Sequence, residues 1–137
     1  MNQNKAAGAY YEACFRSTAM SHGLHIYDPV GDYLPVDAIV QNKAGKLFRI
    51  QIRGTAYKDK GCVKVSTRAG IRKTAYLSSS TYDVFAAYAS DFGVWYLIPS
   101  TLMGNRDNAK FYPHVENSKG QWEKYKDRWS IFDASWS

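Results

Sequence analysis

Two apolar runs near the middle of the chain constrain its fold most. Tyr82 to Ala89 and Val94 to Ile98 are almost wholly apolar, and Ser90 to Gly93 between them have the composition of a hairpin turn. Pro99 then ends the second run, because proline lacks the backbone N–H that continues a strand. The chain is therefore expected to build a sheet that contains this hairpin.

A second hairpin is predicted earlier in the chain. Val36 to Gln41 indicates a strand, Asn42 to Gly45 a turn, and Leu47 to Arg53 an alternating strand. The alternation sorts the side chains onto two faces, with Phe48, Ile50 and Ile52 on one and Leu47, Arg49, Gln51 and Arg53 on the other. Antiparallel pairing of the two strands brings Asp37 beside the Gln51 to Arg53 end.

Helices are predicted at both ends of the chain. Asn4 can cap an alanine-rich helix over about Lys5 to Met20, and Ser118 can cap a second one. The second has aromatic side chains at helical spacing that should dock on the core: Trp122, Tyr125, Trp129 and Phe132. With shorter strands at Leu24 to Tyr27 and Gly61 to Thr67, this order predicts an α+β fold. We expect one domain over residues 1–137.

Charge is concentrated in one part of the chain. Ten basic residues and one acidic residue lie between Lys43 and Lys73, a net charge of +9, whereas the whole chain carries +6 and the remainder therefore −3. Such a segment favours a polyanionic partner, with nucleic acid foremost. The residues expected to contact DNA are Lys43, Lys46, Arg49, Lys58, Lys60, Lys64, Arg68, Arg72 and Lys73.

The sequence also indicates where the protein resides. Cys14 and Cys62 lie far apart without a metal-binding or disulfide pattern, which favours free thiols in a reducing cytoplasm. No run approaches the length of a membrane helix, and the first residues lack the apolar block of a signal peptide. A cytoplasmic protein without a membrane partner is expected.

Four side chains from different elements can converge on one site. Glu12 lies on the first helix, Asp37 at the start of a strand, and Gln51 and Arg53 on one face of the next strand. Oxygen ligands beside a cation are what metal-dependent phosphodiester hydrolysis requires. Structural readings stay open: Glu12 as an exposed helix acid, Asp37 as a turn cap, and the other two as solvent-facing strand residues.

The order of these residues resembles the PD-(D/E)XK nuclease superfamily. The matching segments are G-x-x-x-E at Gly8 to Glu12, P-V-G-D at Pro29 to Asp32, P-V-D at Pro35 to Asp37 and Q-I-R at Gln51 to Arg53. With glutamine in the place of the second acid, the pattern is most similar to the homing endonucleases encoded by group I introns, whose signature is PD-(D/E/Q)XK. The resemblance runs from about Lys5 to Trp129.

The resemblance implies a restriction-endonuclease-like core, a mixed sheet flanked by helices, and a Mg²⁺-dependent endonuclease acting on double-stranded DNA, with Mn²⁺ able to substitute. Asp37 would be the principal metal ligand, and Glu12, Gln51 and the carbonyl of Ile52 would complete the shell. One active site per chain implies a homodimer or homotetramer for cutting both strands.

Arg53 departs from the family pattern, which has lysine at that position. Guanidinium stays protonated and cannot act as a base, although it can bind the phosphate and stabilise developing charge. Lys64 on a neighbouring strand is an alternative source of the ammonium. Two further functions stay open: a DNA-binding module that has lost catalysis, and an interaction protein that binds a polypeptide through its aromatic surface.

Overall fold

The computed structural model describes residues 3–31, 36–55, 58–59, 61–69, 75–76, 81–104 and 108–133. Asp32, Lys60, Arg72 and Lys73, which the sequence singled out, lie outside these residues. Of Lys58 and Arg68 the structure describes the strand but not the side chain. No helix within the described ranges combines the length and apolar character needed to cross a bilayer.

The described residues form one α-helix and ten strands. Helix α1 spans Gln3–Ser21. The strands in chain order are β1 His25–Tyr27, β2 Ala38–Gln41, β3 Leu47–Thr55, β4 Lys58–Asp59, β5 Cys62–Ser66, β6 Arg68–Ala69, β7 Ala75–Tyr76, β8 Val84–Ala89, β9 Val94–Pro99 and β10 Asn108–Phe111. Both predicted hairpins, β2–β3 and β8–β9, are confirmed by antiparallel pairing.

The central sheet has five strands in the order β1-β2-β3-β8-β9. Its neighbours pair antiparallel except β3 and β8, which run parallel with Ile50 opposite Val84 and Thr55 opposite Ala89. The fold is thus α+β with a mixed sheet, as predicted. A smaller sheet has the order β10-β5-β4, and β6 pairs with β7.

Two hydrophobic cores cover the two faces of the central sheet. On one face, Phe15 and Ala19 of α1 pack on apolar side chains of the central strands, among them Ile50 and Leu97. On the other face, Val63 and Val65 of the small sheet pack on Phe85 and neighbouring side chains of β8 and β9. The sheet is therefore an interior layer, which explains why β8 and β9 are apolar throughout.

The predicted continuous C-terminal helix is wrong. The segment instead contains two short 3₁₀ turns, Glu123–Tyr125 and Trp129–Phe132, separated by Asp127 with a positive φ of 48°. Asp127 bonds the edge strand β9 at Trp95 through both its backbone N–H and its side chain. The segment crosses this edge, so its aromatic residues divide between the two cores, where all four are buried: Trp122, Tyr125, Trp129 and Phe132.

Candidate active site

The site lies where β3 extends beyond its partner β2. The β2–β3 register ends at Ala38 opposite Ile50, and the N–H of Asp37 donates to the carbonyl of Ile50 at 2.9 Å. Beyond this point the Asp37 side chain replaces the missing strand: its Oδ2 accepts the Ile52 N–H at 2.7 Å. A strand-opening carboxylate thus satisfies a backbone donor that would otherwise lack a partner.

Gln51 contacts Asp37 directly, which confirms the adjacency predicted from the hairpin. Its Nε2 donates to Asp37 Oδ2 at 2.8 Å, which leaves Oε1 as the acceptor of the amide. Gln51 is only 2% exposed, and its Oε1 is buried without a hydrogen-bond partner among the described residues. The alternative that Gln51 is a solvent-facing strand residue therefore does not hold, because the small sheet packs on the same face of β3.

Arg53 lies on the same face of β3 as Gln51. Its guanidinium is 3.6 Å from Asp37 Oδ2 and donates to the carbonyl of Ile52 at 2.9 Å. A cation thus already lies between two of the oxygens that were predicted to bind metal. Burial lowers the pKa of Arg53, and the negative charges of Asp37 and Glu12 oppose that shift; an arginine nevertheless remains protonated in proteins.

Glu12 approaches from the helix on the other side of the sheet. With Asp37 it lines two adjoining cavities. One, of about 380 Å³, is also lined by Arg53 and by the backbone of α1 and β3, and the other, of about 320 Å³, reaches Arg16 and Asp28. Helix α1 and the end of β3 that extends beyond β2 therefore meet at these two cavities.

Burial raises the pKa of both carboxyl groups. For Glu12 the nearby charge of Asp37 adds to this shift, whereas Arg16 and Arg53 oppose it. For Asp37 the Ile52 N–H and Arg53 oppose the effect of burial without cancelling it. Burial also raises the pKa of Tyr82 beside Arg53 to about 12. The two acids are thus held in a setting that disfavours their charged forms, and a cation between them would relieve that cost.

The carboxylate oxygens differ in what they already bind. The hydrogen bonds of Asp37 converge on Oδ2, and Oδ1 accepts none within the described part of the chain. Among the described residues, no group of three or more acidic, histidine or cysteine side chains is placed to hold a metal ion. Asp37 Oδ1 and the Glu12 carboxylate are the oxygens best placed to accept a metal.

Two glycines shape the cavity, and the sequence signalled only one of them. A Cβ at Gly54 would lie 2.5 Å from Cγ of Tyr11, so only glycine lets α1 approach β3 this closely. A Cβ at Gly8 would meet nothing within 4 Å. The sheet therefore does not fill the space beside Gly8, which opens into the cavity.

Of the nine predicted DNA-contacting residues, the structure describes the side chains of Lys43, Lys46, Arg49 and Lys64, and their contact with DNA remains a prediction. Lys43 and Lys46 lie at the hairpin end of β3, about 23 Å from Arg53 at the usual rise per strand residue. Arg49 donates two side-chain hydrogen bonds of 3.1 Å to Asp83. Burial raises the pKa of Asp83, but the bonds to Arg49 outweigh this effect and hold that pKa below its ordinary value. Arg49 thus links the parallel strands β3 and β8. The sequence did not predict this role, because Arg49 and Asp83 are 34 residues apart.

Lys64 lies on β5 with its side chain on the opposite face from Val63 and Val65, which enter the second core. Within the described residues, the cation that pairs with Asp37 is Arg53. The hypothesis that Lys64 supplies the motif ammonium remains a prediction.

A comparison with known protein families tests the resemblance that these residues suggested. The family model described as PD-(D/E)XK endonuclease matches residues 1–132. The chain belongs to the PD-(D/E)XK endonuclease family. Comparison with curated proteins finds no match.

A solved structure carries the same fold. The bacterial homing endonuclease I-Ssp6803I superposes with a TM-score of 0.79 over 97% of this chain and 94% of its own, at 19% sequence identity. The predicted restriction-endonuclease-like core is thereby confirmed, apart from the C-terminal helix.

Proposed function

We propose that this PD-(D/E)XK family member is a metal-dependent DNA endonuclease that hydrolyses phosphodiester bonds, of the intron-homing type. The observation that carries the proposal is the meeting of Asp37, Gln51, Arg53 and Glu12 at the end of β3 that extends beyond β2. The structural likeness to a bacterial homing endonuclease supports the choice of type.

Asp37 and Glu12 are the residues proposed to hold a divalent cation, Mg²⁺ or Mn²⁺. The support is chemical: both are hard oxygen donors, both have a raised pKa, and Asp37 Oδ1 accepts no hydrogen bond from the described residues. When bound, such a cation polarises the phosphate and activates water. Gln51 and Ile52 as further ligands remain predictions, since Gln51 donates to Asp37 and Ile52 accepts from Arg53.

Residues of the chain itself orient Asp37 and supply a positive charge for the phosphate. Gln51 and the Ile52 N–H hold Asp37 in one position, which leaves its second oxygen facing away from the strand. Arg53 is proposed to bind the scissile phosphate and to stabilise the charge that develops on it. Because guanidinium is not a base, the proton of the attacking water has to leave to another acceptor.

A DNA-binding module without catalysis is the second candidate. The observation that favours it is the guanidinium of Arg53, which already pairs with Asp37 and bonds the carbonyl of Ile52. If this contact persists with DNA bound, it competes with a metal ion for the same oxygens.

The two candidates are separated by incubating the protein with a mixed DNA library and Mg²⁺ or Mn²⁺. Cuts that require the metal, that persist in Asp91→Ala and that vanish in Asp37→Ala support the endonuclease; Asp91 is an exposed acid in the β8–β9 turn. Tight binding without cuts supports the inactive module. Sedimentation of the protein on DNA tests the proposed assembly of two or four copies.

A further inference from the structure

The two cavities at the site lie side by side along helix α1 and share Glu12 and Asp37. The larger cavity extends from this acid pair to Gly8 and Arg53, and the smaller one extends to Arg16. Gly8 lies about one helical turn before Glu12 and Arg16 about one turn after it, so the cavities follow about 12 Å of the helix. We call the two cavities together the helix groove.

The helix groove has an arginine on each side of the acid pair. Arg53 lines the larger cavity, and Arg16 is the cation in the described lining of the smaller one. The proposed function places the cleaved phosphate beside Arg53. One strand of DNA carries a charge about every 3.4 Å along the duplex axis, so a length of about 12 Å spans about three phosphates. A strand that lies along the helix groove therefore brings a further phosphate to the side where Arg16 lies.

The existing contacts of Arg16 leave it able to bind an anion. Its Nη1 lies 3.6 Å from Asp28 Oδ1, which is longer than a hydrogen bond, and the Asp28 side chain is 59% exposed. Exposed ion pairs of this kind contribute little, because water screens both charges. Arg16 also lies close enough to Glu12 to oppose the rise in the pKa of that carboxyl. Guanidinium has several N–H donors, so it can bind a phosphate while it stays beside both acids.

The charge of the smaller cavity determines when a phosphate can enter. Its described lining has three carboxylates, those of Glu12, Asp28 and Asp37, and one guanidinium. Such a wall repels a phosphate until a divalent cation balances Glu12 and Asp37. Arg16 and Asp28 then remain, and they act on the phosphate in opposite directions.

We propose that Arg16 binds the backbone phosphate next to the one that is cleaved, and that Asp28 weakens this contact; the inference rests on the proposed function. The cleaved strand then lies along α1, from Arg53 past the acid pair to Arg16. A phosphate contact carries no base specificity, but it fixes the register of the strand. Arg16 thus helps to hold the scissile phosphate at Asp37 and Glu12.

Substitutions of Arg16 and Asp28 should change DNA affinity in opposite directions. Fluorescence anisotropy measures the affinity for a labelled duplex that the protein selects from a mixed library, over a range of salt concentrations. A fixed low concentration of Ca²⁺ replaces Mg²⁺, and gel electrophoresis confirms that the duplex stays intact. Arg16→Gln should weaken binding about tenfold and move the slope of log K against log salt about 0.9 toward zero, since one phosphate contact is lost. Asp28→Asn should strengthen binding, because a repelling carboxylate is removed while the guanidinium remains.

Arg128→Gln is the matched control. Arg128 is an exposed arginine whose guanidinium carbon lies 5.8 Å from the Tyr125 ring centroid, and it lines neither cavity of the helix groove. An equal loss of affinity and slope in this variant would mean that only net charge matters and would overturn the proposal. Weaker binding by Asp28→Asn would mean that Arg16 acts only through its ion pair, and it would overturn the proposal as well. The gain expected for Asp28→Asn is not an effect that misfolding can produce.

The failure of this inference is distinguishable from failure of the proposed function. If the wild type binds no duplex, the proposed function fails and this inference fails with it. If the wild type binds and cuts DNA but Arg16→Gln keeps the wild-type slope, Arg16 does not contact the backbone and only this inference is overturned.

Discussion

The close approach of α1 to β3 can be tested with Gly54→Ala. The added methyl would lie 2.5 Å from Cγ of Tyr11 and 2.8 Å from its Cδ1. Carbon atoms pack without repulsion at about 3.5 Å or more, so the ring has to retreat by about 1 Å. Overpacking of this kind lowers the free energy of unfolding by about 1–3 kcal/mol. Because Glu12 follows Tyr11 on α1, a displaced helix also moves that carboxylate away from Asp37.

Both consequences can be measured on the same protein. Urea denaturation followed by circular dichroism reports the free energy of unfolding, and single-turnover cleavage reports the chemistry. A displacement of about 1 Å in a catalytic group is expected to slow cleavage about 10²-fold. Gly8→Ala is the matched stability control: its methyl meets nothing within 4 Å, and replacing glycine inside a helix should stabilise the protein by up to about 1 kcal/mol.

A double-mutant cycle decides whether the Tyr11 ring is the cause. Removing the ring with Tyr11→Ala makes room for the methyl, so the double variant should be more stable than the sum of the single effects by about 1–2 kcal/mol. Additive effects, or a Gly54→Ala protein as stable as wild type, would refute the reasoning.

Three other perturbations test the site and its support. Asp37→Asn combined with Glu12→Gln should stabilise the metal-free protein increasingly as the pH rises above about 4. Each folded-state pKa is raised, so the wild type binds more protons when folded and loses stability as the pH rises through that range; parallel stability curves would contradict this. Arg53→Lys should lower the single-turnover cleavage rate, because an ammonium group does not reproduce the two-pronged contact of guanidinium with a phosphate; an equal or higher rate would contradict the phosphate-binding role proposed for Arg53. Asn42→Ala should lower the free energy of unfolding by about 2–3 kcal/mol, since Asn42 donates to the Phe132 carbonyl at 2.8 Å and accepts two backbone N–H groups of the hairpin. Urea denaturation measures it, and a negligible loss would contradict the assigned role.

Local patterns were sufficient to predict the parts of the fold that neighbouring residues determine. Alternation and turn composition predicted both hairpins, and the first hairpin in turn predicted the contact between Asp37 and Gln51. The parallel pairing of β3 with β8 joins segments more than 30 residues apart, and no local pattern specifies it. For the same reason the sequence predicted Arg49 as a DNA contact, although its partner is Asp83.

The spacing of the C-terminal aromatic residues led to a wrong prediction, because a helix and a pair of short turns can both bury residues at that spacing. Trp122, Tyr125, Trp129 and Phe132 recur as in an amphipathic helix, but two short turns around an edge strand bury the same residues. Alternation alone left open whether Gln51 faces solvent or a site, and it is buried because a second sheet covers that face of β3. Tyr11 and Gly54 carried no signal at all, since their contact depends on how closely a helix approaches a strand.

The Asp37 carboxylate accepts the Ile52 N–H, and this structural role is separate from the metal-binding role proposed for it. A descendant of this chain that no longer cut DNA would still need an acceptor at position 37 to terminate β2 and close the exposed edge. Aspartate, or asparagine in its place, should therefore outlast the enzyme activity, and its presence in a sequence is weak grounds for inferring a working nuclease.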